Sequence, residues 1–147
     1  MKRGRTLLLV FLVLFLAAQL VQPKADPPRS TKQAAAWDSP GLDPRIANVL
    51  RRSCGDCHSN QTRWPWYARL SPVSWWLNKH VKEAQLHLNL SELTEFSDSD
   101  RDEISNEVEF GSMPLKSYLL MHPAARVSAE ERKLLNAWAN GTLKKTN

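Results

Sequence analysis

The stretch Cys54-Gly55-Asp56-Cys57-His58 holds both cysteines of this 147-residue chain and one of its four histidines. This C-x-x-C-H spacing is typical of a haem attachment site. Two thiols three residues apart can add to the two vinyl groups of one haem, and the next residue then offers its imidazole to the iron. The stretch therefore predicts one covalent haem c, attached to Cys54 and Cys57, with His58 as an iron ligand.

Three other interpretations of the same residues stay open. A structural zinc site needs four ligands, usually from two such pairs, and the chain has no second cysteine pair. A thioredoxin-like redox pair is expected between a strand and a helix, a context that the surrounding sequence does not show. A plain disulfide fits the spacing but leaves His58 without a role. Haem attachment is favoured because it uses every residue of the pattern.

Start and stop signals around this stretch predict four helices. The start signals are Asp43-Pro44, Ser71-Pro72, Ser99 with Asp102, and Ser128 with Glu131. Gly111 and Gly141 follow the third and fourth helices, where a left-handed residue commonly ends a helix. Since no segment alternates between apolar and polar residues, we predict an all-α fold, a small cytochrome c-like domain of about four helices around the haem.

The second axial ligand of the iron is predicted to be Met113. It lies in the loop Gly111-Ser112-Met113-Pro114 after a predicted helix stop, where a thioether can be aimed without helical constraint. His80 is the main alternative distal ligand, since imidazole is a better base than a thioether. Met121 and His122 are weaker alternatives.

Aromatic residues are unusually dense just after the attachment stretch, at Trp64, Trp66, Tyr67, Trp75 and Trp76. Core packing accounts for most of them. An indole N–H can also reach a haem propionate while its ring excludes water. Trp64 and Trp66 are the candidates for this second, cofactor-binding role.

The first 22 residues have the pattern of an export signal. Lys2, Arg3 and Arg5 precede an unbroken apolar run over residues 7–18, which is the length of a signal-peptide core and short for a spanning helix. The residues before the possible cleavage points, Leu16 and Pro23, do not match the small-x-small pattern of signal peptidase. We therefore expect residues 1–22 to be a signal anchor rather than a cleaved signal peptide.

The rest of the chain divides into three parts. Residues 23–42 are rich in proline and are predicted to be an extended tether. Residues 43–142 are predicted to be the haem-binding domain, followed by a polar tail over residues 143–147. Of the 20 basic residues, 17 follow the apolar run against 15 acidic residues, so this part is nearly neutral and a nucleic-acid partner is not expected.

The sequence over residues 22–141 resembles the small bacterial haem-binding domain family. The residues that carry the resemblance are the run 54–67 (CGDCHSNQTRWPWY), Ser74-Trp75, His80-Val81, Asn89-Leu90-Ser91, Met113-Pro114-Leu115, Tyr118 and His122-Pro123. The chain differs from the family at Ala84-Gln85, where a Gly-Arg pair is common, and at Leu93, where an aromatic is common. The resemblance implies a periplasmic or membrane-anchored c-type cytochrome with His58 proximal and Met113 distal.

The expected function is transfer of single electrons between redox partner proteins of the periplasm or inner membrane, rather than enzymatic catalysis. An iron with two protein ligands leaves no position for a substrate. The alternative is a haem-based sensor or a peroxidase-like accessory, in which the distal ligand leaves and a small molecule binds. In both cases we expect the domain on the periplasmic side of the inner membrane. Residues 1–22 anchor it there, or it is soluble in the periplasm if these residues are cleaved.

Overall fold

The computed structural model of the protein describes residues 2–22 and 35–143. Within these two ranges the chain is helical and forms no strand, which confirms the helical class. The α-helices are α1 (Lys2–Gln19), α2 (Pro44–Val49), α3 (Gly55–His58), α4 (Val73–His87), α5 (Asp98–Glu109), α6 (Lys116–Met121) and α7 (Ala129–Ala139). Short 3-10 turns lie at Ala36–Asp38, Trp66–Arg69 and Pro123–Ala125.

The attachment stretch lies at the end of one continuous helical run. Asp43 caps α2 by accepting a hydrogen bond from the Arg45 backbone N–H at 2.8 Å, and Pro44 occupies the first turn, as the sequence predicts. A π-helical turn, Leu50–Cys54, then joins α2 to α3. The run ends at Ser59, whose backbone is extended. Both cysteines and His58 therefore lie in the last turns of this helix.

Capping boxes begin α5 and α7. The predicted box of Ser128 with Glu131 is present at α7. At α5 the predicted cap was wrong, because Ser97 pairs with Asp100 rather than Ser99 with Asp102. The stretch over residues 97–102 offers two overlapping boxes, of which the earlier one is used, so the helix begins at Asp98.

The number of helices is larger than expected. After residue 43 the described chain has five α-helical runs, one more than expected, and the additional one is α6. No side chain caps the start of α6, and none of its residues is buried. The usual sequence signals of a helix, a cap and an apolar stripe facing the core, are therefore missing in α6.

The core joins the attachment run to α5 and α7. Its buried apolar members include Ile46, Val49, Leu50, Leu90, Ile104, Val108, Leu135 and Trp138. Ala35 and Trp37 belong to the same cluster, and Leu42 and Leu143 pack against it. Of the tether predicted over residues 23–42, residues 23–34 lie outside the described residues, while residues 35–37 are buried and Leu42 packs against the core. Leu143 likewise belongs with the domain rather than with the polar tail, of which residues 144–147 are outside the described residues.

Helix α4 buries only part of the face that its apolar spacing predicts. That spacing traces a face through Val73, Trp76, Leu77, His80, Val81, Ala84 and Leu88. Of these only Val81 is buried, together with Ser74 and Asn78. Val73 and Trp76 are exposed. Small and polar side chains are buried because α4 packs closely on α3 and on the 3-10 turn that precedes it.

The N-terminal helix α1 ends against the start of α4. Gln19 exchanges hydrogen bonds with the backbone of Ser71, accepting at 3.0 Å and donating at 3.1 Å, and the Trp75 indole N–H donates to the Val21 carbonyl at 2.6 Å. Among residues 2–22 and 35–143, no helix combines the length and the apolar character that crossing a membrane requires. The signal anchor expected over residues 1–22 stays a prediction.

Candidate functional site

A cavity of about 550 Å³ lies beside the end of the attachment run. This volume is in the range of pockets that hold cofactors. Five sequence-predicted residues line it: Cys54, Cys57, His58, Met113 and the alternative ligand His80. Helices α4 and α5 contribute much of the remaining wall, including Ala84, Leu88, Ile104 and Val108. Part of the predicted α4 stripe therefore faces the cavity rather than the core.

The orientation of the His58 ring is fixed by the backbone after α4. Its Nδ1 lies 3.0 Å from the Leu88 carbonyl oxygen, which can only accept, so Nδ1 carries the proton and Nε2 is left with a free lone pair. Burial lowers the pKa of His58 and so favours the neutral imidazole. A neutral ring with one nitrogen held by a carbonyl is the form in which histidine binds a metal.

Further hydrogen bonds hold the turn that follows His58. The Leu90 backbone N–H donates to the His58 carbonyl at 2.7 Å, and the Asn60 N–H donates to the Ser91 hydroxyl at 3.0 Å. The Gln85 side chain donates to the Ser59 carbonyl at 2.7 Å. The carbonyls at the end of a helix lack partners within it, so these contacts stabilise the site where the helix stops.

Both thiols are free in the structure and line the same cavity. Burial raises the pKa of Cys54 to about 12 and that of Cys57 to about 11, and the Asp56 carboxylate adds to the effect at Cys57. Reactive redox cysteines have lowered pKa values, because the thiolate is the nucleophile. This environment does not fit a thioredoxin-like pair, whereas it suits two sulfurs that end in neutral thioethers.

Gly55 provides space for an aromatic ring behind the motif. A Cβ atom at this position would lie 3.3 Å from the outer edge of the Trp37 ring, closer than an ordinary van der Waals contact. Trp37 is only 5% exposed, and the Ala36 N–H beside it donates to the Leu90 carbonyl at 2.7 Å. The segment that the sequence assigned to a tether thus packs against the helix that carries the attachment cysteines.

Asp56, the polar residue inside the motif, is a hydrogen-bond acceptor for two other residues. Its Oδ1 accepts from Arg63 Nε at 2.9 Å, and its Oδ2 accepts from the Tyr118 hydroxyl at 2.7 Å. Burial and the Asp56 carboxylate raise the pKa of Tyr118. Tyr118 itself lines the cavity.

Met113 is held at the cavity by the backbone of its loop. The N–H groups of Ser112 and Met113 both donate to the Glu107 carbonyl at 3.0 Å, and Gly111 turns the chain with a φ of 69°. A positive φ is strained for any residue with a Cβ, so glycine is favoured at this turn. We call residues 111–122 the methionine segment and residues 44–60 the attachment segment.

The other candidate ligands occupy different positions. His80 lines the cavity, and its Nδ1 lies 2.9 Å from the Trp76 carbonyl, which again leaves Nε2 free. Met121 is 58% exposed and His122 stacks on Tyr118 with ring centres 4.2 Å apart; neither lines the cavity. Met113 and His80 are therefore the two candidates that this geometry retains.

The two candidate tryptophans are not part of the cavity wall. Trp66 is 72% exposed, and its ring packs edge-on against Tyr67 with centres 5.7 Å apart. Trp64 is partly buried but does not line the cavity either. Their predicted role at the haem propionates has no support from this geometry.

Sequence reasoning missed several residues of the site. Glu83, Glu103 and Glu107 line the cavity together with Tyr118. Their positions depend on how α4, α5 and α6 pack, which no local pattern encodes. Asp56 could have been found, since a carboxylate inside the motif must be hydrogen-bonded once the motif is buried.

The donor set fits a haem better than a bare metal ion. Two unpaired thiols and an oriented imidazole line one large cavity, with a thioether available in the same cavity. Within the described residues, no group of three or more His, Cys, Asp and Glu side chains is placed to hold a metal ion. The residues thus suit a group that is held by its organic ring as well as by its metal.

Comparison with known proteins gives one match. The sequence model of a family described as "Haem-binding domain" matches residues 13–141, which is most of the chain. No curated protein and no solved structure matches the chain. The match covers all the residues that line the cavity.

Proposed function

The chain belongs to the haem-binding domain family, and on this premise we propose that it is a c-type cytochrome that carries single electrons. One observation supports this most strongly. The cavity is lined jointly by both thiols of the attachment motif, by His58 with its Nδ1 already engaged, and by Met113. Each of these side chains matches one requirement of a covalently held haem with two axial ligands.

Each residue has a defined role in this proposal. Cys54 and Cys57 would hold one haem c through thioether bonds, which would prevent its dissociation. His58 offers Nε2 to the iron while the Leu88 carbonyl fixes its tautomer. Met113 offers its sulfur as the distal ligand, and His80 is the alternative. A haem held in this way supplies a one-electron iron couple.

The protein is proposed to act as a carrier rather than an enzyme. With His58 and Met113 both as ligands, a bound haem iron would have no open position for a substrate, and the apolar wall of the cavity would exclude water from the ring. Its partners are proposed to be redox proteins of the periplasm or the inner membrane. The basic residues and the apolar run within residues 1–22 support export of the chain, with the haem-binding domain on the periplasmic side of the inner membrane.

The experiment is a spectrum and a redox titration of protein matured by the haem attachment machinery. Intact mass should exceed that of the polypeptide by one haem, and substitution of both cysteines by serine should abolish this. Met113→Ala should remove the sulfur-to-iron charge-transfer band and lower the midpoint potential by a sizeable part of the ~0.8 V range that axial ligands control. The exposed Met121→Ala is the matched control.

Three results would contradict parts of the proposal. Colourless, unmodified protein would remove covalent haem c. Absence of the sulfur-to-iron charge-transfer band from the parent protein, with a spectrum that is unchanged in Met113→Ala and altered in His80→Ala, would move the distal ligand to His80. Rapid binding of carbon monoxide by the reduced protein would instead favour a sensor or a peroxidase-like accessory, since the distal position would then open readily.

A further inference from the structure

A hydrogen bond connects the attachment segment to the methionine segment. The Tyr118 hydroxyl on α6 donates to Asp56 Oδ2 at 2.7 Å. Asp56 lies between the two cysteines of the motif, and Tyr118 follows Met113 by five residues. The bond therefore spans from the chain that holds the haem covalently to the chain that carries the proposed distal ligand.

The acceptor in this bond is itself held rigidly. Arg63 donates to both carboxylate oxygens of Asp56, from Nε at 2.9 Å and from Nη2 at 3.3 Å. The Asp56 side chain is 12% exposed. A charged acceptor that is fixed by a guanidinium and shielded from water forms stronger hydrogen bonds than a neutral, exposed one.

The donor, Tyr118, belongs to helix α6, which has few other contacts that fix its position. No residue of α6 is buried, and no side chain caps its start. The Tyr118 ring lines the cavity and stacks on His122, with planes 13° apart. A helix of six residues is not stable by its own backbone hydrogen bonds. The contact with Asp56 is therefore a large part of what fixes its position.

From this arrangement we infer that Tyr118 is a positioning residue, whose hydrogen bond to Asp56 holds Met113 where its sulfur meets the iron. The inference rests on the proposed ligation by Met113. Only Pro114 and Leu115 separate Met113 from α6, so the position of α6 restricts the position of the methionine. A thioether is a weak iron ligand, and small displacements of the loop weaken it first.

The test compares Tyr118→Phe with Tyr67→Phe in the haem-loaded full chain. Tyr118→Phe removes the hydroxyl and keeps the ring on His122. Imidazole, titrated as a competing ligand, should displace Met113 about tenfold more readily in Tyr118→Phe, the size expected for a lost hydrogen bond to a charged group. The charge-transfer band and the midpoint potential should fall as well. Tyr67→Phe should behave like the parent protein.

A second variant and a measurement on haem-free protein distinguish the proposed positioning role of Tyr118 from a general loss of stability. Asp56→Asn keeps an acceptor for Tyr118 and should give an intermediate imidazole affinity. In protein whose two cysteines are replaced by serine, Tyr118→Phe should speed amide hydrogen exchange within residues 111–122 more than within residues 44–60.

The outcomes separate the inference from the proposed function. If Met113→Ala keeps the charge-transfer band, the proposed ligation fails whatever Tyr118 does. If Met113→Ala loses the band while Tyr118→Phe binds imidazole like the parent, only the inference is overturned. Equal effects of Tyr118→Phe and Tyr67→Phe would also overturn it, because the Asp56 contact would then have no special role.

Discussion

The attachment segment and the methionine segment line the same cavity but differ in how the polypeptide supports them. The attachment segment buries Ile46, Val49 and Leu50 and is held by the backbone of residues 88–91. The methionine segment buries none of its residues. The core therefore fixes the position of the candidate attachment residues, whereas the methionine segment has few contacts beyond its loop hydrogen bonds and the bond from Tyr118.

The largest expected effect is on the free energy of unfolding, and it compares a core residue of the attachment segment with an exposed residue of the methionine segment. Ile46→Ala should lower the free energy of unfolding by about 2–5 kcal/mol, because Ile46 is fully buried and its truncation leaves a cavity. Leu120→Ala, in the methionine segment and 81% exposed, should change it by less than about 0.5 kcal/mol. Denaturant titration of both variants measures this, and equal losses would remove the contrast between the segments.

A smaller effect tests the contact behind the motif. Gly55→Ala should lower the free energy of unfolding by about 1 kcal/mol, because the new methyl group meets the buried Trp37 ring and overpacking outweighs the gain in helix propensity. Trp37→Phe removes the ring atoms that the methyl group meets. In a double-mutant cycle the two changes should therefore be less than additive. An additive result would mean that the ring moves aside freely.

The smallest effect concerns pH and an ion pair that joins the attachment segment to α7. Arg52 donates to Glu131 at 2.9 Å, and this contact lowers the pKa of the Glu131 carboxyl below its ordinary 4.5. Since the folded pKa is depressed, the stabilisation is complete above about pH 5 and is lost as the pH falls through the folded value. For a partly exposed pair it amounts to about 1 kcal/mol or less.

Unfolding titrations at pH 7 and pH 3.5 check this, with Glu131→Gln as the comparison. The parent should lose more stability between these pH values than the variant does. Identical losses would show that the pair contributes nothing measurable. Neither partner of the pair lies in the methionine segment, so the proposed ligation by Met113 should not change with Glu131→Gln.

Local chemistry made much of the fold predictable. The caps at Asp43 and Ser128 and the glycine turns at Gly111 and Gly141 occur where the sequence places them. Each depends on side chains within a few residues of one another, which short-range rules describe well. The competing boxes at Ser97 and Ser99 show the limit of such rules when two neighbouring signals overlap.

Long-range packing explains what was missed. Trp37 lies in a proline-rich region without helical periodicity, yet the space above Gly55 receives its ring. Helix α6 has neither a cap nor a buried stripe. The burial of Ser74 and Asn78 on α4 follows from close approach to α3 rather than from hydrophobicity.

The amino-acid sequence was enough to identify Cys54, Cys57 and His58 as candidate haem-binding residues, because they are neighbours along the chain. It also indicated Met113 as a candidate ligand, through a local loop signal. Which side chains share a cavity with them could be seen only in the folded chain, since that depends on how helices far apart in sequence pack. The bond from Tyr118 to Asp56 is of this second kind, because its partners are 62 residues apart.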